Sequence, residues 1–233
     1  MNLIALCVLL LFGQSTAPPK ASEVYYVVFL RPSPSRKPIA KEEAERIQSA
    51  HMANIHKMAD EHLLVAAGPF DDDQPTTISG LFLFRVASLD EARRVAMQDP
   101  TVVADRNTVD VHAWRGPSGI GDEYVRLHKL NPETREGMGV QPLFLIAKGP
   151  KWASQNSQEL TAHTDYLAQL QQQGKVGMWG LTASDPDISE IVVFNRVADE
   201  EAQRLMAADP AVQAKVLQTE FHRWWCAEHV IPH

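Results

Sequence analysis

The chain has 233 residues, 45% of them hydrophobic and 22% charged, an ordinary globular composition. Its net charge of −7 and pI near 5.7, with no basic cluster among aromatics, exclude nucleic acid as a natural partner. The length suits one large or two small domains.

Residues 3–12 form an uncharged apolar run, too short to span a bilayer and of the size of a signal-peptide core. Ser15-x-Ala17 supplies small residues for cleavage, so 1–17 read as a signal peptide and the mature protein as periplasmic or secreted, with no membrane attachment after processing. No Lys or Arg precedes the core and Pro18 would follow the cut; the alternative is a buried first strand. Cys7 would leave with the leader. Cys226 then stands alone, as a buried or an intermolecular thiol, without an internal disulfide framework.

Residues 24–30 (Val-Tyr-Tyr-Val-Val-Phe-Leu) read as a buried strand, and the prolines of 31–38 force a loop. Over 41–61, Ala44, Ile47, His51, Ile55, Met58 and His62 recur on one helical face, with His51 inside that face. A strand over 63–67 ends at Gly68-Pro69, an acidic loop follows at 71–73, and another strand covers 80–86. Ser88 with Glu91 has capping-box spacing for a helix over 89–98, which Asp99-Pro100 breaks. A last strand spans 109–114. The order is βαββαβ, which is ferredoxin-like.

Residues 116–140, rich in Gly, Pro and charge, read as a linker. The order then repeats: strand 142–147, helix 157–173, strands 176–179 and 190–197, helix 199–208, strand 219–225. The repeat extends to single residues. His51 precedes Gly68, and His163 precedes Gly180, by 17 positions (68−51 and 180−163). Asp99-Pro100 and Asp209-Pro210 each precede a His by 13 positions (112−99 and 222−209), with Trp114 and Trp224 two further on. This is a tandem duplication of units at 24–115 and 141–226. A sheet with helices on one face needs another sheet on its other face, and two such units can bury those faces against each other.

The ordered set of His51, Gly68-Pro69, the 88–92 helix start and Asp99-Pro100 resembles the YCII-related domain family. The second unit matches with His163, Tyr166-Leu167, Gly174, Glu200-Glu201-Ala202 and Asp209-Pro210. The resemblance implies an α+β fold in which the two ferredoxin-like units form an intrachain, pseudo-dimeric α/β barrel. It also implies an active site of the His and the Asp of the Asp-Pro pair: His51, Asp99, His163 and Asp209. One lineage resembling this family removes chloride from chlorinated hydroxyhydroquinones. The chain departs from the pattern at Gly180-Leu181, where Gly-Pro is usual, and at Asp105 and Lys215, where Gly is usual.

An imidazole beside a carboxylate is a plausible general acid–base pair. A His on an apolar helix face is also a common satisfied core residue, and Asp before Pro a ready helix cap. Gly68, Pro69, His112, Gly180 and His222 are further candidates to line a pocket; His112 and His222 suit the outer face of the last strands equally well. No His-Glu-x-x-His, Cys pair or Gly-rich phosphate loop is present, so the expectation is of no metal and no cofactor. Two functions remain open: cofactor-free acid–base chemistry of a lyase or hydrolase type on a small organic molecule, or a non-catalytic module that binds a small ligand or forms a homo-oligomer.

Overall fold

The structure, a computed structural model, describes residues 22–72, 77–131, 137–153, 155–183, 185 and 187–232. The expected signal peptide lies outside the described residues.

The first unit contains β1 (Ser22–Pro32), α1 (Lys41–Asp60), β2 (Leu64–Pro69), β3 (Gly80–Phe84), α2 (Leu89–Ala96), the short α3 (Pro100–Val103) and β4 (Asn107–Pro117). After α4 (Asp122–Leu130), the second unit repeats the series as β5 (Met138–Lys148), α5 (Ser157–Gln172), β6 (Val176–Ala183), β7 (Glu190–Phe194), α6 (Asp199–Ala207), α7 (Pro210–Gln213) and β8 (Leu217–Ala227). Val27, Val28 and Phe29 are fully buried on both faces of β1, which is why that strand reads as an unbroken apolar run. Ser88 caps α2 as its spacing predicts: its hydroxyl accepts from Glu91 N at 3.1 Å, and the Glu91 carboxylate accepts from Ala87 N at 3.0 Å.

All eight strands form one sheet in the order β2-β3-β1-β4-β6-β7-β5-β8. Within each unit this is the ferredoxin-like order. The units join where Ala113 to Arg115 of β4 pair with Leu181 to Ala183 of β6, and a bridge between Phe70 and Trp224 links the far edges and closes the barrel. Side chains alternate. Tyr25, Val27 and Phe29 point inward with Leu143, Leu145 and both fully buried tryptophans, Trp114 and Trp224, making one core shared by the two units. Val28, Phe82 and Phe84 point outward to α1 and α2, and Phe144, Val192 and Phe194 do the same beneath α5 and α6.

The linker differs from its reading. Residues 116–140 include α4 and the first residues of β5, and α4 is tied to the barrel by Arg85, whose guanidinium donates to Asp122 at 2.8 Å. Gly121 N donates to Val230 O at 2.8 Å, and Val230 and Ile231 are buried in the shared core, so the C-terminal segment packs onto the barrel. Asp105 and Lys215 have φ of 53° and 62°. Both adopt the left-handed backbone for which glycine is the usual residue.

Candidate active site

Each Asp-Pro pair stops one helix and starts another. Pro100 occupies the first position of α3, where its missing N–H costs nothing, and the Asp99 carboxylate caps that helix by accepting from Thr101 N at 2.9 Å. The same carboxylate accepts from the Thr101 hydroxyl at 2.5 Å, from Asn54 Nδ2 at 3.2 Å and from His51 Nδ1 at 2.8 Å. Asn54 lies one turn after His51, so α1 presents both to Asp99. Asp99 is fully buried. Burial pushes its acidity toward the neutral form, but the bonds from His51 and Thr101 outweigh it and hold the carboxyl below its ordinary range. Cap and imidazole partner are one residue.

A carboxylate only accepts, so Nδ1 of His51 carries the proton and neutral His51 keeps its lone pair on Nε2. That atom has no hydrogen-bond partner among the described residues. The ring stacks on Phe82, with centroids 5.9 Å apart, and borders a cavity of about 380 Å³ that runs from the space between α1 and the β2–β3 hairpin past β2 to α4, β8 and Val230. Ile55, Leu64, Ala67 and Phe82 make the walls largely apolar, and Gln48, His56 and Asn107 add polar groups. Gly68 and Pro69 line it as well. A Cβ on Gly68 would collide with the Trp225 carbonyl oxygen, so glycine lets β2 approach β8 at the cavity floor.

The second unit carries the same pair closed from within. His163 Nδ1 meets Asp209 at 2.7 Å, and Asp209 caps α7 by accepting from Ala211 N at 2.9 Å. The other ring nitrogen, Nε2, meets Glu190 at 2.8 Å. His163 and Glu190 are each only 3% exposed, so this ring has no open side. Burial disfavours the imidazolium, yet the bonds from Asp209 and Glu190 outweigh it and lift the His163 pKa to about 9. Burial lifts the Glu190 carboxyl too, against the pull of His163.

Three of the remaining candidates lie elsewhere. His112 and His222 share the barrel-facing side of their strands with Trp114 and Trp224, and neither lines the cavity. His112 Nε2 lies 3.2 Å from Asp185 of the other unit, and His222 Nδ1 lies 2.7 Å from Asp72 of the first, stacked on Phe70 at 4.2 Å. They clasp the two units together at pseudo-equivalent points. Gly180 accepts from Trp114 Nε1 at 2.8 Å where the strands of the two units meet, and does not line the cavity. Glu190, Ala67 and Gly80 went unread in the sequence, although Gly80 and Glu190 stand equally far before their Asp-Pro pairs (99−80 and 209−190, both 19). Among the described residues no group of three or more His, Cys, Asp or Glu side chains is arranged to hold a metal ion.

The fold is that of a dimeric α/β barrel with both halves in one chain. Its first unit, residues 24–115, matches the model of the YCII-related domain family. Chlorite dismutase from Candidatus Nitrospira defluvii, in a point-mutant form, shares the fold at 10% identity and a TM-score of 0.54, over 89% of this chain and 92% of that one. A second structure, described provisionally as a chlorite dismutase, matches at 8% identity and a TM-score of 0.52, over 86% and 94%. No curated protein sequence matches the chain.

Proposed function

We propose that the first unit is the working site, in which His51 acts as general acid–base on a small organic molecule held in the cavity, and that the second unit has become its scaffold. One observation carries the reading: Asp99 holds Nδ1 of His51, and the ring, its Nε2 without a hydrogen-bond partner among the described residues, borders a largely apolar cavity of about 380 Å³. That volume is within the range of small-ligand sites. A base so positioned contributes about 10²–10⁴ in rate. Neutral His51 would take a proton at Nε2, Asp99 would stabilise the imidazolium, and the same atom would return the proton to product.

The composition of residues 1–17 supports export of the mature protein, which intact mass of the protein from its own host would test. The site is tested by screening small organic molecules for thermal stabilisation of the full chain, then assaying hits for turnover. Binding stabilises the native state by RT ln(1 + [L]/Kd). Hits should vanish in Ala67→Trp, which fills the cavity, and turnover should vanish in His51→Ala while the fold persists. Hits that bind but are never converted would leave a binding module. Hits unaffected by Ala67→Trp would place the site elsewhere.

A further inference from the structure

The duplication supplies an internal reference for what belongs on the open nitrogen of His51. In β3 the partner of Leu30 is Gly80, and in β7 the partner of Ile146 is Glu190; Phe82 and Val192 follow at the same step. Gly80 and Glu190 therefore occupy equivalent places, both on the helix-facing side. In β2 the partner of Phe82 is Ala67, and in β6 the partner of Val192 is Trp179. Where the second unit has the Glu190 carboxylate and the Trp179 indole, the first has a hydrogen and a methyl. Gly80 and Ala67 both line the cavity, and that difference leaves it open beside His51 and Phe82.

We propose that this cavity binds a carboxylic acid with an apolar body, its carboxylate on His51 Nε2 where the second unit places Glu190 and its body where the second unit places Trp179. The inference rests on the cavity being a ligand site, as proposed above. Glu190 shows the geometry directly: a carboxylate oxygen 2.8 Å from a histidine Nε2 whose Nδ1 is held by the Asp of an Asp-Pro cap. In such a bond His51 is the imidazolium, the acid form of the proton cycle proposed above, and its Nε2–H donates to the carboxylate. A charge-assisted bond of this kind is stronger than a neutral one, the more so in an apolar enclosure. The first unit cannot supply the group itself. A Cβ on Gly80 would run into the Gly68 carbonyl oxygen, so the carboxylate has to arrive on a ligand. Ile55, Leu64, Ala67 and Phe82 then face its apolar part.

The test titrates the full chain with a series of alkanoates and aryl-alkanoates from acetate to 4-phenylbutyrate, each beside its neutral primary amide, with the His51 ring resonances as readout. The acids should shift His51 saturably and bind at least about tenfold tighter than their amides. Amides that shift His51 as tightly as the acids would overturn the carboxylate class and leave the cavity a ligand site. If neither acids nor amides move His51, and neutral probes such as benzyl alcohol also leave the cavity resonances still, the ligand-site reading falls with the proposal. If only the neutral probes bind, the proposal alone falls. A second arm uses the second unit. In Glu190→Ala, acetate or formate should restore the wild-type His163 ring signals, and no rescue at any concentration would contradict the claim that this ring is a carboxylate receptor.

Discussion

Asp99 accepts from a backbone N–H, a hydroxyl, an amide and an imidazole at once, so substitutions there separate roles that no single contact reveals. Asn keeps an oxygen for the cap but turns an NH₂ toward a donor. Asp99→Asn should therefore leave α3 capped, cost about 1–3 kcal/mol for the unsatisfied bonds, and drive His51 to carry its proton on Nε2. Ring ¹⁵N shifts would show the tautomer, and an unchanged Nδ1–H form would refute the orienting role. His163 gives a pH prediction. Its folded pKa is about 9 against 6.5 for the free side chain, so its contribution is complete below pH 6.5 and is lost as pH rises through 9. Glu190, raised by burial, also holds its proton longer in the folded state, and acts in the same direction. Stability should fall between pH 6.5 and 9 by on the order of 3 kcal/mol, and His163→Gln should flatten that arm of the denaturation profile. The pairs His51–Asp99 and His163–Asp209 were legible because the duplication repeats their spacing. Glu190 was not, because a single Glu before an apolar strand means nothing until strand register sets it opposite Gly80 in the other copy.

At the level of elements, the main helices and strands followed from periodicity and capping; the short helices α3 and α7 are absent from the βαββαβ reading, although each Asp-Pro offered a cap and a first helical residue. The helix α4 escaped because Gly and Pro surround it and none of its residues is buried, which leaves no apolar stripe to read. The left-handed turns explain the two departures from glycine differently. Lys215 has a φ of 62°. Lys215→Gly should raise stability by roughly 1 kcal/mol through relief of the left-handed conformation, measured by denaturant midpoint. Asp105 has a compensation, since its carboxylate accepts from Ser33 and Ser35 at 2.6 and 2.7 Å, so Asp105→Gly should gain nothing. The loops that carry Asp72 and Asp185 clasp the opposite unit through His222 and His112. Asp72→Ala removes the partner of both His222 and Arg223 N and should cost about 1–3 kcal/mol, with no effect on binding in the cavity. Loss of ligand affinity in that variant would mean that clasp and cavity are coupled.

For the whole molecule, the shared core takes side chains from every strand except the outer-facing positions, so neither half has a complete interior. Each half expressed alone should self-associate or bind the other half, and sedimentation that finds two well-folded, indifferent monomers would contradict the intrachain barrel. The duplication also allowed the halves to diverge: one filled its helix–sheet space with Trp179 and Glu190, and the other left it open beside His51. Sequence showed that the halves are related but not which one stayed open, since that depends on side-chain volume at positions facing each other across strands. The most direct test follows the ring resonances of His51 and His163 together while the full chain is titrated with the hits of the small-molecule screen. A saturable shift of His51 that Ala67→Trp abolishes, with His163 unmoved throughout, is the expected result. A shift of His163 alone, or of both rings equally, would contradict it.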